Sequence, residues 1–252
     1  MSKANKKTLL YLGLCLLVSM CSAVATGASQ HDIQQLRSLS YSVVDNALVF
    51  HNPLGTPYDP SNAQAYQHDL QQLMLKAQSL GLSDVSARAK QLSAVVADLQ
   101  HLPQNAADSR ATIPAYRQWL PQVIEQHAAL LTLLDQHYTN ATPGSAEQQA
   151  LHQLSWDLQR LSLHYQITAF PYMSVQVWML DDSTLNALDA TVQQRLSQLP
   201  AGDDNLDKLA ARYHFVRGYL LKTGENWAPN AVQRYLAGIA TALDNAAGKL
   251  PL

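Results

Sequence analysis

Residues 151–165 read LHQLSWDLQRLSLHY. Leu151, Leu154, Leu158, Leu161 and Tyr165 fall at alternating steps of three and four, so they share one face of a helix with 3.6 residues per turn. The same spacing recurs on both sides of this stretch. It runs through Tyr66, Leu70, Leu73, Ala77 and Leu80, through Leu206, Leu209, Tyr213, Val216 and Leu220, and through Val232, Leu236, Ile239, Leu243, Ala246 and Leu250. Narrow apolar seams of this kind predict helices packed side by side at shallow crossing angles.

Glycine and proline divide the pattern into predicted helices at 30–50, 61–80, 83–102, 113–138, 145–168, 183–199, 203–222 and 229–249. Ser83, Ser145, Asp182 or Ser183, and Asp203 are the expected N-caps, because a side-chain oxygen there accepts from the free N–H groups of the first turn. Pro229 suits a first helical turn, where its missing N–H is not needed. The short links at Gly81 and at 200–202 return the chain along itself. The expected fold is therefore all-α, an antiparallel up-and-down bundle of about seven to eight helices. Two stacked four-helix units are one arrangement of it, divided near 139–145 within a bundle domain at 26–252. Pro121 predicts a kink or a fresh helix start inside 113–138.

The N-terminus carries Lys3, Lys6 and Lys7, then an uncharged run over 8–25 ending in Ala23-Val24-Ala25. That order predicts a secretory signal at 1–25 and a mature chain from about Thr26, hence export, to the periplasm in a bacterial cell. An uncleaved membrane anchor and a lipoprotein are the alternatives, although Met20 before Cys21 and Leu14 before Cys15 suit lipidation poorly. Both cysteines lie in the signal, so the mature chain would form neither a disulfide nor a thiolate site.

Of 17 Lys and Arg, three fall in the signal, leaving 14 against 19 acids, a mature net charge of −5. That balance, without any basic block after Lys7, argues against nucleic acid as a partner. A membrane enters only if the signal is retained.

Cofactor motifs are missing. A di-iron bundle needs Glu-x-x-His pairs, yet alanine stands three residues after each glutamate, at Ala128, Ala150 and Ala228. A covalent c-type haem needs Cys-x-x-Cys-His, and no Gly-rich phosphate loop, His-Glu-x-x-His or Gly-x-Ser-x-Gly occurs. No cofactor and no metal is indicated.

The candidate site is a row on the 145–168 helix, where His152, Trp156, Arg160 and His164 follow at steps of four beside the leucine seam. Trp156 and Arg160 can stack as a cation–π pair, a flat cationic surface for a carboxylate or an aromatic ligand. His152 and His164 stand roughly 18 Å apart along the axis and cannot share a metal.

Phe170-Pro171-Tyr172 interrupts the helical pattern, and the segment running on to Trp178 is where a pocket over the bundle is expected. Arg217 flanks the seam of the 203–222 helix and, if it faces inward, needs an acid or a bound anion. His127 falls on a seam as a hydrogen-bonded core residue, and Gly218 and Gly238 read as points of close helix approach.

These features favour an exported, non-catalytic binding or adaptor module of the cell envelope, with a protein partner or a small anionic or aromatic ligand. Trp156, Arg160, His164, Tyr172, Trp178 and Arg217 are its candidate contacts. The alternative is a periplasmic enzyme with dispersed acid–base residues between the 170–178 break and the region of His164 and Arg217.

Overall fold

The structure, a computed structural model, describes residues 27–52, 54–102, 109–170, 180–200, 206–221 and 226–251. Eight α-helices and no strand occur among them: α1 Gln30–His51, α2 Pro60–Ser79, α3 Ser83–Ala97, α4 Ser109–Asn140, α5 Ala146–Thr168, α6 Asp182–Ser197, α7 Leu209–Leu221 and α8 Pro229–Ala247. A four-residue 3₁₀ turn, Asp98–His101, follows α3. None of these helices is long and apolar enough to cross a membrane. The expected signal at 1–25 lies outside the described residues.

The predicted bundle is present, and its apolar core falls into two clusters. One gathers α1 to α4 around Leu36, Val44, Leu73, Leu92 and Leu120. The other gathers α5 to α8 around Leu158, Leu161, Val192, Tyr213, Leu236 and Ile239. The leucines of the 151–165 seam are buried throughout, each contributing roughly 1.5–3 kcal/mol of transfer free energy. The links near 139–145 join the two clusters. Helix α1 supplies apolar side chains to the first cluster and packs on α2, α4, α5 and α8.

Local chemistry fixes the ends. Ser145 caps α5 by accepting from the Gln148 N–H at 3.1 Å, and Pro229 opens α8, both as expected. Ser83 does not cap α3: it is already the first helical residue, and Leu82 before it offers no side-chain cap. Asp181, rather than Asp182 or Ser183, caps α6, its carboxylate taking the Thr184 N–H at 2.8 Å. Asp203 lies outside the described residues. Gly81 holds φ +71°, the left-handed conformation that lets α3 turn back on α2 without a Cβ clash. Helix α4 continues through both Pro114 and Pro121 with no new start at Pro121.

The start of α1 is tied to the unit boundary. Gln30 N–H donates to the Thr142 carbonyl at 3.0 Å, and Thr142 N–H donates to the Ala28 carbonyl at 3.2 Å. Ser29 and Asp32 complete a reciprocal capping box on the same turn.

The two helix-interior glycines do not mark close approach. A Cβ at Gly218 or Gly238 would meet no atom within 4 Å, so the space beside each is open. Their effect is on chain entropy alone. Gly238→Ala is expected to stabilise the protein by about 0.5–1 kcal/mol in urea unfolding, and a destabilised variant would show that the helix needs glycine there.

Candidate functional site

Where α1 crosses α5 and α8, the sequence places polar side chains at helical spacing. Ser155, Gln159, Ser162 and Gln166 on α5 sit one position after successive leucine-seam residues and form a stripe without Lys, Arg or Glu. All four are buried. Gln34, Ser38, Tyr41 and Asp45 on α1 form the facing stripe. Such a seam between two apolar clusters needs partners for every polar atom, and most are found across it. Gln159 Nε2 donates to Ser38 Oγ at 2.9 Å and to Ser155 Oγ at 3.0 Å, while Ser38 Oγ donates to Asp244 of α8 at 2.6 Å.

The predicted row on α5 lies along this seam, and each member has its own role. His152 is buried, stacks on His31 and hydrogen-bonds both it and the Tyr138 hydroxyl at 3.1 Å. Trp156 donates from Nε1 to the Tyr41 hydroxyl at 3.2 Å. The cation–π pair expected of Trp156 and Arg160 is present at 5.5 Å, and a second cation, Arg37, lies 5.3 Å from the same ring. Arg37 is engaged by Asp135 at 2.6 Å and by the Tyr138 face at 4.0 Å. Arg160 is held loosely: its nearest carboxylate, Asp157, is 3.7 Å away and also faces Arg195 at 3.3 Å.

Arg160 and His164 line a cavity of about 150 Å³ between α1, α4 and α5, closed at one side by Leu180 just before α6. Ile124, Leu131, Leu163 and Ile167 supply apolar wall, and Tyr41 and His127 the rest of its polar lining. His164 Nδ1 accepts from the Leu180 backbone N–H at 3.2 Å, so the neutral ring carries its proton on Nε2. His127 is buried as expected, edge-on to Tyr41 at 4.8 Å, but its Nε2 has no hydrogen-bond partner, which corrects the reading of a satisfied core histidine. Burial alone pushes His127 down to about 3, and burial also lowers His164, opposed by the Asp182 charge.

Ile167 and Leu180 of the cavity lining flank, in the sequence, the Phe170–Trp178 interruption over which a pocket is expected. Phe170 is buried against Tyr116, while Tyr172 and Trp178 lie outside the described residues. Arg217 is not brought here. It makes a bidentate pair with Asp189 of α6 at 2.8–3.0 Å, and Tyr213 donates to the same carboxylate at 2.8 Å. Its partner is the internal acid that an inward-facing arginine requires, and its guanidinium is separate from the His164 cavity lining. No set of three His, Asp or Glu side chains among the described residues is placed to share a metal ion.

A second, polar cavity of about 60 Å³ lies between α1, α5 and α8, lined by Ser38, Asp45, Gln159, Ser162 and Asp244. Tyr41 forms part of the wall of both cavities. Sequence reasoning passed over this one, because Asp45 and Asp244 look like solvated acids until the facing stripes are paired. Comparison with protein-family models, with curated proteins and with solved structures gives no match, so the chemistry of this seam rests on its own geometry.

Proposed function

We propose that the protein is an exported, non-catalytic ligand-binding module of the cell envelope, and that the cavity beside Arg160 takes a small aromatic carboxylate. The observation that carries this is the match of shape and charge. A space of about 150 Å³ with apolar walls has the volume that accepts a benzene-sized ring, and here it is bordered by a guanidinium whose nearest carboxylate, Asp157, stands 3.7 Å away and is shared with Arg195. Arg160 offers a planar fork of donors to a carboxylate, and the Trp156 face beneath it keeps that fork in place.

Binding is favoured over turnover because the two histidines at the cavity are held neutral by burial and are weak bases near neutral pH. Export is supported by the lysines and the apolar run that precede Thr26.

The test is thermal unfolding of the chain from Thr26 onward with benzoate and phenylacetate, against acetate and benzyl alcohol at equal ionic strength. The aromatic acids are expected to raise the midpoint, by the equivalent of about 2.7 kcal/mol at a hundred times the dissociation constant. Arg160→Ala should remove the effect. No shift with either aromatic acid, or a shift that survives Arg160→Ala, overturns this reading.

A further inference from the structure

Asp45 and Asp244 are both buried, and neither has a cationic partner among the described residues. Asp244 accepts only from neutral donors, Ser38 Oγ at 2.6 Å and Gln34 Nε2 at 3.3 Å. Asp45 has less: Oδ1 has no hydrogen-bond partner, and Ser162 is the one polar neighbour that eases its charge. Gln159 Oε1, buried in the same cavity wall, is likewise unpartnered. Both orphans are acceptors, and no Lys or Arg lines the cavity.

The cavity adjoins a groove. Ser38, Ser42, Thr241 and Asp244 line both the cavity and this groove of about 440 Å³ between α2 and α8. The groove carries Asp69, whose carboxylate accepts from Ser42 Oγ at 2.5 Å. Its one cation, Lys76, is already bound to Asp32 at 3.0 Å. Water could satisfy the hydrogen bonds of a space this size, but it cannot neutralise a buried carboxylate.

We propose that this cavity and groove form a second binding site, for a linear aliphatic amine whose ammonium head sits beside Asp45, Ser162 and Gln159 and whose chain leaves past Asp244 and Asp69. An ammonium supplies three donors and one positive charge in a compact head, which is what the orphaned atoms lack. A diamine or polyamine places its next ammonium toward Asp244 or Asp69. Burial raises both Asp45 and Asp244, to about 7 and about 6, so amine binding near pH 6 releases protons. Asp69, Lys76 and Asp32 along the groove, and Tyr41 with Arg160 beyond it, are the other charged or titratable groups facing the site.

Isothermal titration of the same chain with putrescine and spermidine tests this, with sodium chloride at matched ionic strength and 1-butanol as controls. The amines are expected to bind, with affinity falling about tenfold or more in Asp45→Asn and in Asp244→Asn, and falling as pH drops from 7.5 to 5.5. Each ligand is titrated alone, so a failure of the aromatic-acid reading and a failure of this one are separable. Absence of binding, binding equal in the two asparagine variants and the parent, or an equal response to sodium chloride overturns the proposal.

Discussion

At pH 8, Asp45→Asn is expected to raise the unfolding midpoint of the ligand-free protein, although it removes a charged group from a polar seam. Burial lifts the Asp45 carboxyl from the ordinary 3.8 to about 7, with only Ser162 opposing the shift. The native state therefore holds a proton that the unfolded chain has released between about pH 4 and pH 7. Stability falls with rising pH wherever the folded state binds more protons, so this group favours the fold fully below pH 4 and loses its contribution as pH climbs to 7. The amide of asparagine carries no charge and escapes the penalty.

The gap between variant and parent should thus open from near zero at pH 4 to about 4 kcal/mol at pH 8, and stay constant above. His51, His127 and His152 tilt both proteins the other way. Burial lowers them to about 4, 3 and 4, so their contribution is present above pH 6.5 and is lost as pH falls. Because parent and variant share these histidines, the difference between them isolates Asp45. Parallel stability curves across this range would show that Asp45 carries no buried charge.

Asp189→Ala is expected to be the more damaging change, costing about 3 kcal/mol at neutral pH. The Asp189 carboxylate is only 3% exposed and takes three hydrogen bonds from Arg217 and one from the buried Tyr213 hydroxyl. Alanine leaves that hydroxyl without an acceptor and the guanidinium without a counter-charge. Arg217 can turn part of its side chain, 34% exposed, into water, which keeps the cost below that of a fully enclosed pair. Pairing Asp189→Leu with Arg217→Met should recover part of the loss. Urea unfolding reads both effects, and a single variant within 0.5 kcal/mol of the parent would mean that the pair is not holding α6 to α7.

The helices were legible because each presents one apolar face at a regular spacing. The seam from Val232 to Ala246 is the clearest, and it became the buried face of α8. Cap assignments erred by a residue at α6 and failed at α3, since several polar residues beside a helix start compete for one capping role and sequence cannot rank them. The row from His152 to His164 was legible as a boundary between helices. What lay across from it was not, because contact between α1 and α5 joins residues more than a hundred positions apart.

The polar cavity was hidden by a different ambiguity. A stripe of serines and glutamines at helical spacing reads the same whether it faces water or another such stripe. The signal that separates the two is the lack of charge: Ser155, Gln159, Ser162 and Gln166 avoid the long charged side chains that solvated faces use.

Helix α1 contributes apolar side chains to the first cluster, packs on α5 and α8 of the second, and pairs its first residues with the link between them. One helix thus couples the two sets of helices. Withdrawing α1 strips neighbours from α2 and α4 and from α5 and α8 alike, so the chain is expected to melt in a single transition, and a cut in the 140–145 link to sever the polypeptide without freeing a domain.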